Sequence, residues 1–130
     1  MDRNISFFNY SDLFLKHEKE LLDIFQSVGE KGAFIMQQEL SDFESNIADY
    51  TGAKFVLGVA NATDAIQLLL KAGGVGPGDE VIFCSHTMVA TASAIAFTGA
   101  TPVPVEVGSN HLIDPESIKG AITSKTKVIM

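Results

Sequence analysis

Between Gly58 and Ala100 the chain twice repeats one pattern: a short apolar run, a polar turn, then an apolar helical stretch. Phe55-Val56-Leu57 with Val59 leads into a helix over Ala62–Ala72. Val81-Ile82-Phe83-Cys84 leads into a second over Met88–Thr98, closed by Gly99. Uniformly apolar strands alternating with helices predict a parallel sheet covered on both faces. The run Gly73-Gly74-Val75-Gly76-Pro77-Gly78-Asp79 is a strong turn. Beyond it Val103, Val105 and Val107 alternate as a strand, and Thr126–Met130 begins another. Asp114-Pro115-Glu116 opens a short helix, with Asp as cap and Pro at the first helical position. Pro104 gives a ladder no N–H and suits an edge or a bulge.

Upstream the period changes to that of helices. Residues 11–28 carry an apolar stripe of Leu13, Leu21, Leu22, Ile24, Phe25 and Val28. Ser11 or Asp12 can cap that helix, and Gly29 can stop it. Phe34-Ile35-Met36 forms an apolar cluster in the connection. A second helix over 39–50 places Leu40, Phe43, Ile47 and Tyr50 on one face, and Thr51-Gly52 ends it.

Composition narrows the partners. A chain of 130 residues is long enough for one domain with a core and short for two, so one domain is expected. Sixteen acidic against nine basic residues give a net charge of -7 with no basic run, which argues against nucleic acid and anionic membranes. No apolar stretch reaches the roughly 18 residues of a membrane span. The start lacks the features of a signal peptide, and a single cysteine, Cys84, fits a reducing compartment, so a cytoplasmic location is expected. His17, His86 and His111 lie far apart in sequence and no metal-ligand spacing occurs, so no metal site is expected.

Chemistry gathers at the two strand-to-helix turns. In Val59-Ala60-Asn61-Ala62-Thr63-Asp64, Asn61 can cap the helix and Asp64 stands at the capping-box position. The free N–H groups of that first turn and the Thr63 hydroxyl suit a phosphate. The same residues also describe an ordinary capped helix, and the local sequence leaves both readings open. Asp64, Gln67 and Lys71 share one polar stripe, expected to face water. In Cys84-Ser85-His86-Thr87-Met88, Ser85 or Thr87 can cap, and His86 and Met88 can approach a flat ligand. The alternatives are a core Met88 and a solvent-facing His86; Cys84 is expected to be buried and unreactive. Neither turn has the glycine spacing of a dinucleotide fingerprint.

Taken together, four collinear blocks resemble the DegT/DnrJ/EryC1/StrS sugar aminotransferases, a group of fold-type I pyridoxal-phosphate enzymes. They are GAFIMQQELSDFE, GVANATDAIQLLLKAGGVGPGDEVI, SHTMVATASAIAFTGATPVPVEV and LIDPESIKGAITSKTKVI. The resemblance implies an α/β three-layer sandwich with a mainly parallel sheet. Residues 1–130 would be the N-terminal helices and the first, incomplete part of the large cofactor-binding domain. Ala62 and Thr63 match positions that bind the phosphate of pyridoxal 5'-phosphate, and Met88 matches the position that stacks on its ring. The family usually has an aromatic residue at Met88, often Gly at Ala62 and commonly Gly at Gln37.

The resemblance also implies that the cofactor-anchoring lysine and the aspartate at the ring nitrogen lie after Met130. No catalytic residue is expected within this chain, whose lysines occupy polar faces or turns, and the chain alone is expected to be inactive. The complete protein would move an amino group from an amino acid, glutamate above all, to a keto group on a nucleotide-linked sugar, in cell-surface polysaccharide synthesis, as a cytoplasmic homodimer. Two rivals stay open: a sugar dehydratase of the same family, with histidine in place of the lysine, and a non-catalytic binding or assembly module.

Overall fold

The computed structural model describes residues 7–130. It divides after Gly58 into two compact units.

The first unit is helical. Helix α1 spans Tyr10–Lys31 and α2 spans Gln38–Thr51. The cap of α1 is Asn9 rather than Ser11 or Asp12; its side chain accepts from the Asp12 N–H at 3.2 Å. Asp12 instead brings a negative charge to the first turn, where the helix dipole favours it. Gly29 does not stop α1. A stop needs a residue in the left-handed region, and Gly32 supplies it at φ 64°. The Gly32 and Ala33 N–H groups then return to the carbonyls of Gly29 and Val28, both at 3.1 Å. Helix α2 ends as expected at Gly52, with φ 72°. No residue of α1 or α2 is buried, so the apolar stripe read along α1 stays open to solvent.

The expected strand at Phe55–Val59 does not form. This run takes part in no ladder, and Phe55 and Leu57 are exposed.

The second unit is α/β. It comprises α3 (Ala62–Ala72), β1 (Glu80–Cys84), α4 (Val89–Ala96), β2 (Thr101–Val105), α5 (Pro115–Ala121) and β3 (Thr126–Ile129). The strands form a parallel sheet in the order β2-β1-β3, so both edges of β1 are taken. Val81, Ile82 and Phe83 of β1 are all buried. Val81 and Phe83 pack with Leu70 of α3 and Ile95 of α4, while alternation sends Ile82 to the other face. Burial on both faces is what the unbroken apolar run demanded.

Strand β2 lies at one edge of this sheet, as Pro104 required. The Thr101 N–H donates to Asp79 O and the Ser85 N–H to Val105 O, both at 2.9 Å. Residues 101 and 105 therefore bond toward β1, and Pro102 and Pro104 point their missing N–H groups outward. Val107 lies past the end of β2 and forms an isolated antiparallel bridge with Ile113. Asp114 caps α5, accepting from the Ser117 and Glu116 N–H groups, and Pro115 takes the first turn. Hydrogen bonds from Ser117, hydroxyl first, hold the Asp114 carboxyl below the usual aspartate range.

The glycine turn before β1 is pinned to β3. Asp79 Oδ2 accepts from the Gly76 N–H at 2.9 Å and from Lys127 Nζ at 3.2 Å, and Lys127 also donates to Gly74 O at 2.6 Å. The Gly76 bond, then the Lys127 bond, hold the Asp79 carboxyl below its ordinary value. A depressed carboxylate stabilises the fold above the unfolded value, and that contribution is lost as pH falls through the folded one. Asp79→Asn is therefore expected to lower the denaturation midpoint at pH 7. The gap from wild type should narrow as pH drops below about 3.9, which urea titrations at stepped pH will read. In the same assay Ile82→Ala should cost about 2–5 kcal/mol, as for a fully buried isoleucine whose space cannot refill.

Candidate functional site

Helix α3 leads into the turn before β1, so its N-terminus lies toward the carboxyl ends of the strands. The turn after β1 opens at that same end. The sheet thus brings both chemistry-bearing turns to one side of the second unit.

At the first turn Asn61 sits in extended backbone, φ -163° and ψ 170°. Its Oδ1 accepts from the Asp64 N–H at 2.9 Å, and its Nδ2 donates to Asp64 Oδ2 at 2.9 Å. This varies the expected capping box, because Asp64 meets the Asn61 amide side chain instead of the cap's backbone. The Asn61 carbonyl accepts from the Ala65 N–H at 3.1 Å. Among the described residues no acceptor serves the N–H groups of Ala62 and Thr63, and none partners the Thr63 hydroxyl. Thr63 is half-buried and Ala62 exposed. Two convergent N–H donors, a hydroxyl and the positive end of an eleven-residue helix fit a phosphate group.

The polar stripe of α3 is oriented differently from expectation. Asp64 and Gln67 are half-buried, and Gln67 Nε2 reaches the Phe97 carbonyl at 3.5 Å. Leu68 and Leu69 face outward instead. The helix is rotated so that Leu70 enters the core with Ile66 packed beside it, and this carries Gln67 along.

At the second turn neither Ser85 nor Thr87 caps α4. Met88 occupies the cap position with no side-chain hydrogen bond, and Thr87 Oγ1 lies 3.2 Å from Thr91 Oγ1. Met88 is 74% exposed in this chain. His86 is exposed. Cys84 is half-buried rather than buried, with Sγ 3.9 Å from His86 O.

The fold also joins two histidines that are distant in sequence. The rings of His86 and His111 lie 6.4 Å apart, because β2 pairs with β1 and the turns after them become neighbours. His111 has a left-handed backbone, φ 62°, inside the turn closed by the Val107–Ile113 bridge. Among the described residues no group of three or more metal-binding side chains occurs. Every described lysine is exposed.

The sequence profile of the DegT/DnrJ/EryC1/StrS aminotransferase family matches residues 16–130. The chain belongs to the DegT/DnrJ/EryC1/StrS aminotransferase family. Its sequence is 43% identical over 127 residues to the dTDP-3-amino-3,6-dideoxy-alpha-D-galactopyranose transaminase of Aneurinibacillus thermoaerophilus, covering 97% of this chain and 35% of that protein. Its structure is similar to S. venezuelae DesV in complex with a ketimine intermediate, with TM-score 0.92 and 36% identity over 98% of this chain and 35% of that one. It is also similar to Bacillus subtilis NtdA with bound cofactor PMP, with TM-score 0.86 and 32% identity over 98% and 31%. The chain thus spans about a third of the length of these relatives. These neighbours are aminotransferases of fold type I, so the parallel sheet is a part of that fold.

The Asn61 cap keeps the Ala62–Thr63 donors aimed together. Asn61→Ala is expected to destabilise the start of α3 by about 1 kcal/mol. Hydrogen exchange over residues 60–66 should rise while exchange in β1 does not change.

Proposed function

We propose that this chain forms one wall of the cofactor site of a pyridoxal-phosphate-dependent aminotransferase acting on a nucleotide-linked sugar. Residues 1–130 would be its N-terminal helices and the first part of its cofactor-binding large domain. The observation that carries the reading is the unpartnered set at the start of α3, namely the Ala62 and Thr63 N–H groups with the Thr63 hydroxyl, in a chain of this family.

Pyridoxal phosphate, when bound, supplies an electron-withdrawing ring that lets an amino group pass between carbon centres. The chain's own part is to hold and orient. Ala62 and Thr63 bind the phosphate through backbone N–H groups, with the Thr63 hydroxyl as a third donor. Met88 lays its thioether against the ring, a softer contact than an aromatic face but of similar reach. The exposed lysines of this chain do not serve as the covalent anchor. The amino donor is an amino acid, glutamate in the first instance, and the working protein is a homodimer. The choice of a sugar nucleotide is supported by relatives such as the dTDP-sugar transaminase.

Thr63→Ala in the full protein is expected to weaken pyridoxal-phosphate retention about tenfold, the effect of one hydrogen bond to a charged group. Dialysis followed by absorbance of the bound cofactor measures it. Retention equal to wild type would remove Thr63 from the site. Incubation with glutamate and a dTDP-keto sugar should yield an amino sugar; a deoxygenated sugar without amine transfer would make the protein a dehydratase instead.

A further inference from the structure

We infer that His86 and His111 form a two-imidazole site for a divalent transition ion of the zinc class. The site is separate from the Ala62–Thr63 turn, and it stands whether or not that turn holds a phosphate. The two rings lie 6.4 Å apart, centre to centre, at an interplanar angle of 63°. Both belong to the second unit and follow its paired strands β1 and β2. The register sets Cys84 opposite Val105, and the Ser85 N–H donates to Val105 O at 2.9 Å. His86 therefore leaves a backbone that is already tied to the neighbouring strand. His111 is held by its own turn. There the Gly108 N–H donates to Leu112 O at 2.9 Å, the His111 N–H to Gly108 O at 3.0 Å and the Leu112 N–H to Asn110 Oδ1 at 3.0 Å. The Val107–Ile113 bridge closes that turn, in which His111 adopts φ 62°.

The chemistry of the pair selects the ion. A neutral imidazole offers one ring nitrogen as a ligand, which suits zinc, nickel and copper. Magnesium and calcium take oxygen ligands instead. A metal about 2.0–2.1 Å from one nitrogen of each ring brings the two ring centres to about 5–6 Å. The observed separation is slightly wider, and rotation about the side-chain torsions of either histidine brings the rings into that range. Two protein nitrogens leave the remaining positions to water, as in an open site. With half the protein ligands of a structural zinc site, the dissociation constant is expected to be on the order of 10 µM. Once bound, the ion ties the turn after β1 to the turn after β2, two residues before Met88. No ligand spacing along the chain announces this pair; the strand pairing assembles it.

The test titrates zinc chloride into the full protein by isothermal calorimetry, for wild type, His86→Ala, His111→Asn and His17→Ala. Asparagine tolerates the left-handed backbone, so the turn that carries His111 survives the change. Wild type is expected to bind zinc. His86→Ala and His111→Asn should each weaken that binding about tenfold or more, since one imidazole remains. His17 lies on α1, and its removal should leave the affinity unchanged. A second readout needs no variant: zinc should slow amide exchange in both the 85–88 and the 108–112 turns of wild type. No zinc uptake by wild type overturns the site. So does binding that survives both substitutions, that is lost in only one of them, or that falls equally in His17→Ala. Exchange that zinc slows in neither turn, or in one alone, overturns it as well.

Discussion

The parallel pairing of β1 with neighbours on both sides is the constraint on which the whole second unit depends. Val81, Ile82 and Phe83 are buried on both faces, and burying each such side chain is worth about 1.5–3 kcal/mol. No register shift of β1 keeps all three in the core, so its position is fixed. A parallel strand must be reached by a crossover, so every chain reversal at the carboxyl end of the sheet is a strand-to-helix or strand-to-loop turn. That geometry puts the start of α3, the Ser85–Met88 turn and the Gly108–His111 turn at one end. The site does not depend on any one motif. In the proposed reading it depends on the core holding the first two of these turns at the same end.

Much of the second unit is legible from the residues because local and tertiary preferences agree there. The limits of α3 match the sequence pattern residue for residue, since Asn61 caps it and glycines come after it. Asp114-Pro115 announces α5 for the same reason. Where pattern and structure part, the deciding partner lies elsewhere. Phe55–Val59 has strand composition, yet it takes part in no ladder, and a ladder needs a partner strand that the run itself does not specify. Gly29 and Gly32 carry the same letter, and the difference is which of them adopts the left-handed backbone. The rotation of α3 is hidden because Leu68, Leu69 and Leu70 are one type in sequence, and only packing chooses Leu70 for the core.

The candidate site divides the same way. The Ala62–Thr63 donors can be read from the turn, because a helix start leaves N–H groups free by its own geometry. The nearness of His86 and His111 cannot. Twenty-five positions separate them, and only the pairing of β1 with β2 makes them neighbours. Strand order is set by which hydrophobic faces pack, and the residue pattern along one chain does not state it.

A chain with net charge -7 is not an obvious host for a phosphate. Net charge acts over distances on which salt already screens, about 10 Å at 0.1 M. Hydrogen bonds act within about 3 Å, where the Ala62 and Thr63 N–H groups are directed by the helix they begin. The nearest threat is Asp64, three residues from the cap. Its carboxylate bonds the Asn61 amide while its own N–H bonds Asn61 Oδ1. One asparagine therefore does two opposing jobs. It satisfies the third N–H of the helix, and it holds the carboxylate by a hydrogen bond at the cap. The first two N–H groups are left over by this arrangement, and in the proposed reading the local dipoles of the helix start would favour an anion there against the sign of the whole chain.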